Sequence, residues 1–154
     1  MLETLIYPMV NKLSDFALEQ WNNYETFKNV RLSVRDRIRR EAALNEEILE
    51  RLNNESSIIN ELSIEALHQV FVMPIPIDKI MDKEINHNVR KILSSNKESS
   101  NWTKNILNEA DLIERLWQRT RIFQICTNNN EGNPKIYYLK LLNRALTQSL
   151  KENT

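Results

Sequence analysis

The sequence predicts an all-α protein: an irregular bundle of five or six helices, opened by a long amphipathic N-terminal helical segment and containing no sheet. Three observations lead there. Gly132 is the only glycine of the 154 residues, and no glycine or proline occurs between Pro8 and Pro74. These are the residues that punctuate regular structure, and the tight turns of a multi-stranded sheet depend on them. Apolar residues recur three or four apart in every long segment, the period of one helix face. The composition, 41% hydrophobic and 27% charged, is ordinary for a globular chain, and the length suits one domain, 1–154, with its own core.

The first element is the long segment 1–53. Its apolar face runs through Leu5, Met9, Leu13, Phe16, Tyr24, Phe27, Val30, Val34, Ile38, Ala42, Leu49 and Leu52. A single helix from 9 to 53 would be about 65 Å long, whereas a compact domain of this size has a radius of gyration of about 15 Å. Either the run breaks at Asn22-Asn23, where side-chain amides compete for backbone bonds, or it protrudes and a partner covers it.

Short helices follow over 63–95. Ser63 suits an N-cap for a helix from Ile64 to Met73, and the Pro74-Ile75-Pro76 segment ends it. Asp78 suits the cap of the next helix, which extends to Leu93. The polar stretch 94–101, Ser-Ser-Asn-Lys-Glu-Ser-Ser-Asn, predicts a mobile surface loop open to proteolysis. A C-terminal helical pair occupies 103–151. Its first member, Thr103 to Cys126, carries Ile106, Leu112, Ile113, Leu116 and Phe123. Its second, Lys135 to Leu150, opens after Pro134 and carries Ile136, Tyr137, Leu139, Leu142, Leu146 and Leu150.

Composition also bounds function. The chain has 21 basic and 21 acidic residues, so it lacks the global positive charge of a nucleic-acid binder. The single cysteine, Cys126, excludes an intrachain disulfide and a thiolate zinc cluster, and its place between Ile125 and Thr127 predicts a small core residue. The opening Met1-Leu2-Glu3-Thr4 has an acid where an export signal needs basic residues, and no run of about 18 apolar residues occurs. A cytoplasmic protein is expected. One glycine cannot build a phosphate-binding loop; the sequence leans away from an enzyme without excluding one, and no cofactor is expected.

Two patterns carry possible chemistry. Glu65 with His68, and Glu84 with His87, repeat the Glu-x-x-His half-motif of carboxylate-bridged di-metal bundles, and are candidate metal ligands. No facing helix offers convincing further carboxylates, so a metal-free protein is expected. The second pattern is a reversal of charge along one helix: Lys28, Arg31, Arg35, Arg37, Arg39 and Arg40, then Glu41, Glu46, Glu47, Glu50 and Glu55. Three readings fit it. The charges are a solvated face, neutralised by pairs such as Asp36–Arg40 and Glu47–Arg51. Or the helix pairs antiparallel with its copy about Arg40 and Glu41, setting Arg31 opposite Glu50 and Arg35 opposite Glu46. Or the arginines contact phosphates, joined by Arg115, Arg119, Arg121 and a stacking Trp117. The acidic half opposes the third reading. The sequence thus favours a cytoplasmic protein of association, a homodimer or an accessory subunit, with Arg31, Arg35, Arg39, Arg40, Glu46, Glu47 and Glu50 as its interaction residues. A nucleic-acid accessory protein is the alternative, and a di-metal enzyme the remote one.

Overall fold

A computed structural model describes residues 24–51, 61–73, 75–128 and 136–152. Within them the chain forms seven helices and no strand: α1 Tyr24–Glu50, α2 Glu65–Val72, α3 Ile77–Ile80, α4 His87–Leu93, α5 Lys97–Ser100, α6 Glu109–Asn128 and α7 Ile136–Glu152. The expected all-α bundle is present. The proposed break at Asn22-Asn23, the segment before it and the turn at Gly132-Asn133-Pro134 lie outside the described residues.

Helix α7 is the centre of the bundle, packed against α1, α4 and α6. A helix in that position must be apolar on more than one face. Tyr138, Leu139, Leu141, Leu142, Ala145, Leu146 and Leu150 are accordingly all buried, together with Asn143 and Ser149. Tyr137, expected on the buried face, points outward instead. The α1 side of this contact is the stripe Val30, Val34, Ile38, Ala42 and Leu49, spaced to fall on one face of the helix. The described part of the long helix is therefore covered by its own chain. Asn143 ties the two helices by donating from Nδ2 to the Ala42 carbonyl at 2.8 Å.

The middle of the chain departs most from its expected form. Met73 takes an extended conformation, as a residue preceding proline must, and ends α2. Pro76, not Asp78, precedes α3, which lasts one turn. Residues 82–86 then form no helix where a continuous one was expected. Glu84 and Asn108 form an isolated antiparallel bridge, with Ile85 N donating to Leu107 O at 3.1 Å and Glu109 N to Lys83 O at 2.9 Å. Asn86 caps α4 by accepting from Val89 N. The polar stretch 94–101 contains the one-turn helix α5, capped by Asn96, and its Ser99 is fully buried. The expected helix from Thr103 begins instead at Glu109. Asn108 accepts from Asp111 N, and the Asp111 carboxylate accepts from Leu107 N. Cys126 is half-buried at the far end of α6 and is not a core residue.

The expected cap of α2 comes chiefly from another helix. Glu41 of α1 accepts from Ala66 N at 2.8 Å, Leu67 N at 3.1 Å and Ser63 Oγ at 2.7 Å. Ser63 itself offers Glu65 N a weaker contact at 3.4 Å. A carboxylate at this end satisfies orphan N–H groups and complements the positive end of the helix. Asn45 holds the same segment, accepting from Ser63 N at 3.0 Å and donating to Ser63 O at 2.6 Å. Glu41→Ala is expected to lower global stability by about 1–2 kcal/mol, with amide exchange accelerating first at Ala66 and Leu67, as hydrogen-exchange NMR would record.

Candidate interaction surface

At 100° per residue, the buried stripe of α1 and its outer face lie on opposite sides of the helix. Leu32, Asp36, Arg40, Ala43, Leu44, Glu47 and Arg51 fall within one arc of about 120° facing away from the bundle. Leu32 and Leu44 are 53% and 52% exposed, whereas the other large apolar residues of the helix from Phe27 onward are buried or partly buried. Arg40 pairs with Asp36 at 3.2 Å, and Arg51 with Glu47 at 3.3 Å. Both intrahelical pairs expected from the sequence are thus formed. Arg39 also donates to Asp36, at 2.6 Å. That hydrogen bond is the main cause holding the Asp36 carboxyl below its ordinary value; desolvation opposes it, and the charges of Arg40 and Arg39 add to the lowering.

The other arginines of the cluster face inward or sideways. Arg35 is only 8% exposed and grips the fully buried Glu109 with two nitrogens, at 3.2 and 3.1 Å. Its Nη1 also approaches Ile80 O at 3.5 Å and Met81 Sδ at 3.7 Å. Arg31, one turn earlier, donates to Ile80 O at 3.2 Å and pairs with Asp82 at 2.5 Å. Arg37 donates to Gln69 of α2. Glu50 meets Arg144 of α7 at 3.6 Å, and Glu46 borders the same shallow cleft with Leu49 and Lys140. Three residues of the antiparallel register about Arg40 and Glu41 are thus engaged within their own chain. Arg35 is inside the fold, Arg31 is fastened to the α3 end, and Glu41 caps α2.

The phosphate-contacting set is dispersed in the same way. Arg115 donates to Trp102 O, Tyr138 Oη and Asn105 Oδ1, and Arg119 lies over the Tyr138 ring at 5.4 Å. Trp117 stacks on His68 with ring centroids 5.6 Å apart and touches Phe71 at 5.4 Å. That stack also occupies one face of the candidate metal ligand His68, while Glu65 stands exposed at the start of α2. Glu84 sits in the β-bridge and His87 opens α4, so this second pair is not on one helix face at all. Among the described residues no three His, Cys, Asp or Glu side chains come together as a metal site. No described helix is long and apolar enough to cross a membrane.

The chain matches no known protein family, no curated protein and no solved structure. Its outer α1 strip therefore has to be interpreted from its own chemistry. Leu32, Ala43 and Leu44 had no place among the interaction residues expected from sequence, because a lone leucine among charges cannot be assigned to a face until the buried stripe is known. Glu109, the partner that withdraws Arg35, sits far along the chain and carried no local signal.

Two measurements follow from these charges. Glu109→Ala and Arg35→Ala should each cost about 3–5 kcal/mol in urea denaturation, since each strands a buried charge, whereas Arg35→Met with Glu109→Leu should recover most of that loss. For Asp36, an NMR titration of the side-chain carboxyl should give a value below 3.8 that returns toward 3.8 in Arg39→Ala. A depressed carboxyl stabilises the fold above its unfolded value, so this contribution fades as the pH falls through the lower folded value.

Proposed function

We propose that this protein is an association module of the cytoplasm, whose outer α1 strip docks on another protein surface. What supports the reading is the exposure of Leu32 and Leu44 on a helix whose buried stripe is already matched to α7. Covering one such side chain contributes on the order of 1 kcal/mol from the area removed from water. The charges around it are paired within the strip, which lowers the cost of bringing another surface close. The single half-buried cysteine suits a reducing compartment. Of the arginines that a nucleic-acid role would draw on, Arg31, Arg35 and Arg115 are each engaged by groups of their own chain.

A photo-crosslinking residue at position 44, introduced into the full chain in its native cells, tests this. A discrete protein adduct is expected from position 44 and not from the exposed Lys91 position on α4. If illumination yields no adduct from position 44, the association reading fails.

A further inference from the structure

Resting on that association reading, we infer that the occupant of the strip is a second copy of this chain, docked antiparallel about a two-fold axis between Ala43 and Leu44. The order of residues along the strip carries the inference. It runs Asp36, Arg40, Ala43, Leu44, Glu47, Arg51: acid, base, two apolar residues, acid, base. Reversed about its midpoint, the strip sets Arg40 opposite Glu47 of the second copy, Asp36 opposite Arg51, and Ala43 against Leu44. Every charged pair is of opposite sign. An isologous interface requires this self-complementarity, because each contact occurs twice.

The pairs already present within the helix extend the argument. Arg51 holds Glu47 at 3.3 Å and Arg40 holds Asp36 at 3.2 Å. In the docked arrangement Arg51 and Glu47 of one copy meet Asp36 and Arg40 of the other. The four charges close into a ring of alternating sign, and the two-fold axis makes a second ring. A network of this kind contributes more than isolated surface pairs do. At the centre, the small Ala43 admits close approach of the helices and the exposed Leu44 fills the space beside it. An open depression of about 500 Å³ runs along Ala43, Glu46, Glu47, Glu50 and Arg51. It gives the incoming Arg40 an acidic seat.

The interface is small, so a dissociation constant of roughly 10–100 μM is expected, tightening at low salt. Sedimentation equilibrium on the purified full chain measures it. Arg40→Glu sets acid against Glu47, and Glu47→Arg sets base against Arg40, so each variant alone should dimerise about tenfold more weakly. Mixed together, the two variants should form a heterodimer of roughly wild-type affinity, because every opposed pair is again of opposite sign. Leu44→Glu should remove dimerisation in either background, and circular dichroism should show unchanged helix content throughout. A wild-type monomer at about 100 μM overturns the inference. So does a mixture that associates no better than its components. Neither result removes the adduct expected from position 44 in cells, where a mass of one chain plus a different protein would leave the association reading standing and this inference refuted.

Discussion

The buried ion pair between Arg35 and Glu109 sets the conditions for much of the bundle. Two ions taken out of water cost several kcal/mol each, and only close, bidentate geometry offsets that cost. Glu109 is the first residue of α6, and Arg35 lies on the inward side of α1. The start of α6, the end of α3 and the middle of α1 must therefore meet within hydrogen-bonding distance. The bridge between Glu84 and Asn108 supports this by delivering Glu109 N to Lys83 O, immediately beside the pair. A lysine at position 35 would not serve as well, since a single ammonium lacks the fork that matches both carboxylate oxygens.

Arginine does comparable work elsewhere, and the reason is the irregular backbone. The segments 81–86 and 101–108 connect helices with little regular hydrogen bonding of their own, leaving carbonyls that need donors. Arg31 reaches Ile80 O, Arg90 reaches Thr103 O at 2.9 Å and also Ile106 O, and Arg115 reaches Trp102 O. Each guanidinium carries several donors in a plane and joins segments that share no regular hydrogen bonding. Long alkyl stems allow the charge to cross from a helix surface to a neighbouring loop. The apparent basic cluster of α1 is, in part, the inventory of these internal fasteners.

That history shows which features were legible in the sequence. The helical class was legible because scarce glycine and proline act locally, and the α1 stripe was legible because Val30, Val34, Ile38 and Ala42 repeat at four-residue spacing. The break between α3 and α4 was not. Ile80, Met81, Ile85, Val89 and Leu93 keep a helical period through it, and only pairing with 107–109 overrides local preference. Arg35 was misassigned for the same kind of reason: charge predicts exposure until a partner 74 positions away is known. The outer strip stood between these cases. Its intrahelical pairs could be read from i,i+4 spacing, while the alternating order of its charges stands out only once Arg31 and Arg35 are known to be engaged by their own chain.

The central place of α7 bears on how the chain comes into being on the ribosome. Helices α1, α4 and α6 precede it, yet each rests on it. Translation proceeds at ~5–20 residues per second, so the apolar stripe of α1 waits several seconds for its cover. During that interval the stripe Val30 to Leu49 is a sticky surface in a crowded cell, and among the described residues α2 and α3 are the earlier-made helices that pack on α1. Glu41 and Asn45, which fasten the α2 end to α1, thereby act earliest in the life of each molecule, as a provisional clasp on a core that is still missing its middle.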